Sequence, residues 1–254
     1  ASRVDIQFFL ELLPAHLFDL AGRNIMVPNP EWFERPWLAR LGRCTEVWAK
    51  TADCLRIFSR YHRKVVLSGW TSPDRLLPDV PRAMELVHLA GNSSAKGTNE
   101  VLQAMAMVPE HRLTLVTRKS YACPPNVQAV EHLSDSEFMR LQNRARIHLC
   151  PSSYEGFGHY INEALSVGAL VITTASEPMT DLVQPSFGIG VRVRSTSLQH
   201  LAQHRHVDPV ELAEAIRAAM GAPAAVIEEL GRRSREAYLS TREAFHNRVT
   251  ELLR

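Results

Sequence analysis

Short apolar runs alternate with segments of helical period along the whole chain. Residues 4–10, 24–27, 45–49 and 64–70 are rich in apolar, β-branched or aromatic side chains and read as strands. Residues 14–21, 35–41 and 51–61 lie between them, carry apolar positions three and four apart, and read as helices. The alternation resumes further on, with strands expected over residues 84–90, 112–117, 127–133, 147–150, 170–173 and 188–193. Helices are expected over residues 98–107, from Ser134 to near Arg146, over a segment whose apolar stripe is Phe157, Ile161, Ala164, Leu165 and Gly168, and over residues 179–183. Two helix starts are written locally: Ser134 with Glu137 forms a capping box, and Asp208 before Pro209 sets a cap and a proline at the first helical position. Residues 222–254 read as one long or two shorter helices. Such alternation with short connections specifies parallel sheets covered by helices, an α/β architecture. Between the halves, Pro73, Pro78 and Pro81 break both periods, so residues 71–83 read as an interdomain connection.

Composition removes several classes of function. A chain of 254 residues with 45% hydrophobic content is ample for two modest domains. Its formal net charge is only +2, with Lys and Arg scattered, so nucleic-acid binding is not indicated. Cys44, Cys54, Cys123 and Cys150 show no C-x-x-C spacing, which argues against a disulfide framework or zinc site and fits a reducing cytoplasm. No apolar run approaches the ~18 residues that span a bilayer. Asp5 and Glu11 interrupt the apolar N-terminal stretch, so no signal peptide is expected. His200, His204 and His206 fall in an expected loop with no carboxylate or cysteine completing a metal set. The basic run Arg56, Arg60, His62, Arg63 and Lys64 reads first as a solvated helix surface.

The chemistry concentrates after the strand at 147–150. Pro151 ends that strand, Gly156 and Gly158 free the backbone to turn sharply, and a helix follows. Its N-terminus presents unpaired N–H groups and the positive end of the helix dipole, which suits a phosphate. Glu155 lies in the loop and Glu163 lies within the helix, so the two carboxylates face different parts of one long ligand. A carboxylate accepts two hydrogen bonds, which suits vicinal sugar hydroxyls. A second small-residue loop, Gly91 to Gly97, opens the helix at Thr98 and carries Lys96, a phosphate cradle in principle but with the wrong glycine spacing for a P-loop.

Glu155-Gly156-Phe157-Gly158, then Glu163-Ala164, Gly168 and Val171-Ile172, in that order, resemble the donor-site motif of the retaining family-4 glycosyltransferases of GT-B fold. Gly91, Lys96 and Gly97 match that family's Gly-Arg-(four residues)-Lys-Gly loop, with Asn92 in place of the arginine. The resemblance implies two Rossmann-like parallel-sheet domains: a partial N-terminal, acceptor-side domain over residues 1–75, a linker over 76–83, and a nucleotide-sugar-binding domain with a helical tail over 84–254. The family's first strands have no counterpart before Ala1, so the chain reads as a fragment or a shortened variant. The implied activity moves a sugar from a UDP- or GDP-linked donor to a hydroxyl acceptor, which is a glycan, a lipid-linked molecule or a small molecule, with retention at the anomeric carbon. No cofactor or metal is implied. Glu155 and Lys96 are the expected catalytic pair, Lys96 at the diphosphate and Glu155 at the sugar, while Glu163 holds the ribose. Gly91, Asn92, Gly97, Arg118, Leu133, Gly156, Phe157 and Gly158 complete the expected donor site. Asn29 and Glu31 are acceptor-side candidates, in a Pro-rich segment whose alternative is a turn anchored in the core by Trp32 and Phe33; Lys50 is a weaker one. Related enzymes work in polysaccharide biosynthesis in the cytoplasm, some docked peripherally on the inner membrane face. Because Asn92 stands where an arginine is expected, the alternative is a non-catalytic donor-binding or partner subunit.

Overall fold

The structure is a computed structural model that describes residues 4–254. Four parallel strands form the first sheet: β1 (Val4–Leu10), β2 (Ala21–Val27), β3 (Glu46–Ala49) and β4 (Val65–Leu67), in the order β1-β2-β3-β4. Helices α1 (Leu38–Leu41) and α2 (Ala52–Phe58) lie in its connections. Successive side chains point to opposite faces of a strand, and the central strands β2 and β3 are buried on both, while the edge strand β1 is largely exposed. Met26, Val47 and Ala49 pack with Phe18, Phe33, Leu41 and Phe58, while Ile25, Val27 and Trp48 face the other way.

The second sheet contains β5 (Ala83–Gly91), β6 (Leu113–Thr117), β7 (Val127–Val130), β8 (Ala145–Cys150), β9 (Leu170–Thr174) and β10 (Gly188–Val191). All its pairings are parallel, in the order β10-β9-β8-β5-β6-β7. Counted from β5, this is the doubly wound 3-2-1-4-5-6 arrangement, whose strand order reverses between β5 and β8. Helices α3 (Thr98–Met107) and α7 (Pro209–Gly221) cover one face over Leu86, Ile147, Leu149, Leu170 and Ile172. The opposite face, with Val87, Cys150 and Val171, packs against α4 (Asp135–Arg144), α5 (His159–Ser166), α6 (Met179–Leu182) and Tyr238 of α8 (Ala224–Leu252). Continuous apolar strands here follow from burial on both faces.

Most elements stand where the sequence places them, and α3 coincides with its expected bounds. The capping box at Ser134 forms, with its side chain accepting from the Glu137 N–H and Glu137 reaching back to the Ser134 N–H. Asp208 caps α7 by accepting from the Val210 N–H. Three expectations need correction. Residues 15–20 form a short 3-10 helix rather than an α-helix, the tighter form that fits the few residues between Pro14 and the start of β2 at Ala21. The strand expected to end at 193 stops at Val191, and residues 193–207 form an antiparallel hairpin of β11 (Val193–Gln199) and β12 (Ala202–Val207). His204 and His206 therefore sit on a strand, not in a loop, with His200 in the turn between the strands.

The tail is a single 29-residue helix. Its first half lies on the second sheet and its end reaches the first, where Val249 and Leu252 pack on Ile25, Val27 and Trp48. Arg23 donates to the Leu252 carbonyl at 2.6 Å, and Phe245 meets Trp70 with centroids 5.5 Å apart. The connection ahead of β5 is held by polar contacts as well as prolines: Tyr238 donates to the Ser72 carbonyl at 2.8 Å, and Arg235 pairs with Asp74 at 2.6 Å. No helix among the described residues is long and apolar enough to cross a membrane. The basic run is partly paired within the chain, Arg56 with Asp53 and Lys64 with Glu46.

Candidate active site

Ligands in open α/β sheets bind beyond the carboxyl ends of the strands, at the point where the strand order reverses. Both motif loops meet there, since Gly91–Gly97 follows β5 and Pro151–Gly158 follows β8. They are stitched together: the Ser153 N–H donates to the Ala95 carbonyl at 2.8 Å. Gly97 is part of the joint. Its φ is +70°, and a Cβ there would lie 2.2 Å from the Pro151 carbonyl oxygen, so no other residue fits without moving the backbone.

Beneath the loops, His88 of β5 ties the sheet to α3. Its Nδ1 lies 2.7 Å from the Leu149 carbonyl, to which it donates, and its Nε2 lies 3.0 Å from the Thr98 hydroxyl, from which it accepts. Burial pushes this imidazole down to about 4, and does the same to His148 on β8. Both rings are therefore neutral near pH 7.

Lys96 projects from the first loop to the second. Its ammonium lies 2.6 Å from Glu155 Oε1 and 3.7 Å from the centroid of the Tyr160 ring. Ser152 also donates to Glu155. Two clefts meet at this cation. One, of about 510 Å³, is bounded by Gly91, Arg118, Leu133 and Arg75; the other, of about 720 Å³, by Asn29, Glu31, Glu155, Gly156, Phe157 and Gly158. Asn92 and Lys96 line both.

The second cleft lies between the two sheets. Glu31 and Asn29 come from the loop after β2 and press against Gly156. A Cβ on Gly156 would sit 2.2 Å from Asn29 Oδ1 and 2.8 Å from Glu31 Oε1, so the glycine permits the close approach. Glu31 is 8% exposed, and its Oε2, like Asn29 Oδ1, has no protein hydrogen-bond partner. Burial, reinforced by the nearby Glu155 carboxylate, raises the Glu31 carboxyl to about 7. Lys50 lines the same cleft, and burial lowers its ammonium. The halves are joined around this cleft: Tyr154 donates to Asp53 Oδ2 at 2.6 Å, Gln199 to the Glu31 carbonyl at 3.1 Å, and the Leu201 N–H to the Pro30 carbonyl at 3.2 Å.

Two of the expected site residues line neither cleft. Gly97 is buried behind the loop as a hinge of its geometry. Glu163 is turned toward neighbouring protein groups: Arg75 lies 3.3 Å from Oε1, and Gln142 donates to Oε2 at 2.9 Å. Trp32 corrects the reading of a core anchor, because it is 56% exposed at the cleft while Phe33 alone is buried. Sequence reasoning missed Arg75, Tyr154, Gln199 and the placement of His204. Their signal is weak by nature, since Arg75 lies in the proline-rich connection and Gln199 and His204 on an unexpected hairpin. Among the described residues no group of three or more His, Cys, Asp or Glu side chains is placed to hold a metal ion.

Known structures share this architecture. The chain superposes on a glycosyltransferase from Rickettsia africae ESF-5 with a TM-score of 0.74 at 15% identity, covering 98% of this chain and 76% of that one. It matches sucrose-phosphate synthase from Thermosynechococcus elongatus with a TM-score of 0.73 at 18% identity, covering 92% and 67%. For the Anabaena protein HepE in complex with UDP and glucose the TM-score is 0.70 at 14% identity, covering 93% and 73%. The chain spans a smaller share of other matching structures, 54% in the case of TarM. At these identities the likeness establishes the fold, which is the GT-B fold of glycosyltransferases. Residues 86–222 match the sequence model of the family described as Glycosyl transferases group 1, and the chain belongs to that family. No curated protein matches it.

Proposed function

We propose that the chain transfers a sugar from a UDP- or GDP-linked donor to a hydroxyl acceptor with retention at the anomeric carbon, as a family-4 enzyme of polysaccharide biosynthesis. The observation that carries this reading is Lys96, a single cation shared by two clefts at the switch point of the sheet. The nucleobase occupies the cleft walled by Leu133 and Arg118. The diphosphate lies at the junction, against Lys96, Asn92 and the N-terminus of α5, where fixed positive ends stabilise the charge that develops as the sugar departs. The transferred sugar lies beside Glu155 and Gly156 in the larger cleft, and the acceptor enters from the Asn29 and Glu31 side.

In this scheme Lys96 exchanges its 2.6 Å contact with Glu155 for the diphosphate, which frees the carboxylate to accept sugar hydroxyls. Glu163 accepts the ribose hydroxyls in place of Arg75. Asn92 supplies a neutral amide where the family's arginine supplies charge, and this favours a second reading in which the chain binds the donor without turning it over. The domain division belongs to the same proposal: residues 1–75 on the acceptor side, 76–83 as linker and 84–254 on the donor side. The same proposal places the chain in the cytoplasm, a reading its four unpaired cysteines fit, with the basic run Arg56 to Lys64 at the end of α2 and beyond as the face for any peripheral membrane contact.

Calorimetric titration with UDP and GDP tests the donor site. One nucleotide is expected to bind, with about tenfold or greater loss in Lys96→Ala and in Glu163→Ala, the factor of a charge-assisted hydrogen bond removed. Binding that survives both substitutions would overturn the assignment. Binding without transfer to any hydroxyl acceptor would leave the non-catalytic reading.

A further inference from the structure

One large aromatic side chain in the larger cleft is left open by the protein itself. Trp32 is 56% exposed, whereas Trp48 is 2% exposed and Trp37 and Trp70 are half-buried. The ring is nonetheless carried on a fixed support. The Trp32 N–H closes a tight turn onto the Asn29 carbonyl at 3.1 Å. On one side, Phe33 is fully buried, edge-on to Phe58 with centroids 4.9 Å apart. On the other, the β11–β12 hairpin grips the loop at the Pro30 and Glu31 carbonyls. A flat apolar face on an anchored loop costs little conformational entropy to use in binding.

Hydrogen-bond acceptors belong to the same cleft wall. Glu31, itself more than nine-tenths buried, and Asn29 line the same cleft, and each carries a buried oxygen with no protein partner. Buried oxygens of this kind are ordinarily paired, so a ligand at this wall should bring hydroxyl donors. The required ligand thus combines a rigid apolar face with donating hydroxyls on its edge. A pyranose ring does both, because its axial C–H bonds form one face and its hydroxyls project around it. An alkyl chain offers only the first and an open-chain polyol only the second.

We propose that Trp32 is the stacking platform of an acceptor subsite and that the acceptor is a carbohydrate, its pyranose ring lying on the indole with hydroxyls directed to Glu31 and Asn29. This deepens the glycosyl-transfer reading and rests on it for the direction of transfer.

The indole N–H resonances of the full chain, with the Trp32 signal identified from Trp32→Tyr, provide the test. Millimolar methyl pyranosides of several configurations are expected to shift the Trp32 signal, while sorbitol and hexanol are not. Trp32→Ala should weaken glycoside binding about tenfold, the scale of one aromatic contact, with Trp32→Tyr retaining most of it. UDP and GDP binding should remain within twofold in both variants. No shift with any pyranoside, or an equal shift with sorbitol or hexanol, would overturn the proposal. Loss of nucleotide binding in the unsubstituted chain would instead count against the donor-site reading alone.

Discussion

Acid should unstrap the second sheet at its switch point, and two histidines set how steeply. His88 is fully buried and His148 is 1% exposed, and burial pushes both from an ordinary value of 6.5 to about 4. In that window the unfolded chain binds a proton that the folded chain refuses. Stability is therefore fully present above pH 6.5 and is lost as the pH falls towards 4. Each ring contributes a slope of about 1.4 kcal/mol per pH unit and a total of roughly 3 kcal/mol across the window. Glu31 acts in the opposite direction. Its folded value is raised from 4.5 to about 7, so its contribution is present at low pH and is lost as the pH rises through that range. Urea unfolding at several pH values between 4.5 and 6.5 reads the net slope. His88→Asn, which keeps a donor for the Leu149 carbonyl, should flatten the slope by about 1.4 kcal/mol per pH unit, and Glu31→Gln should steepen it by the same amount. The slope matters here, not the absolute stability, which either substitution alters for other reasons. Equal slopes in wild type and both variants would refute the reasoning.

Two further outcomes follow from the cleft between the sheets. Gly156→Ala places a methyl group 2.2 Å from Asn29 Oδ1, so the walls must part; transfer should fall on the order of 10²-fold while nucleotide binding changes little, as kcat compared with nucleotide Kd will show. Tyr154→Phe removes the 2.6 Å bond to the buried Asp53 carboxylate and should lower stability by about 1.5–3 kcal/mol, measured as a lower urea midpoint; an unchanged midpoint would mean that this contact does not hold the halves together.

Much of the molecule is set by interactions between residues near one another in the chain. The capping box at Ser134 and the Asp208 cap are local and form as read, and Ile161, Ala164 and Leu165 make the apolar stripe of α5, with Phe157 and Gly168 falling beyond its ends. The alternation of apolar runs and amphipathic segments specifies covered parallel sheets for the same reason. The motif at Glu155 and the loop at Lys96 were legible because a sharp turn into a helix start needs small residues there, and both loops do enter helices through a glycine of positive φ. The hairpin at 193–207 was not, because most of β11 is solvent-exposed and its sequence carries no alternation of apolar and polar positions.

Sequence order alone did not bring the distant parts of the site together. The placement of β8 beside β5 joins Lys96 to Glu155 across 59 residues, and the linker path brings Arg75 to Glu163 across 88. The same path-dependent packing buries Phe33 and leaves its neighbour Trp32 open to the cleft. Composition marks both rings as apolar. Only the position of the hairpin and the facing sheet decides which one becomes core and which one remains available to a ligand, because burial is a property of the whole fold and not of the residue.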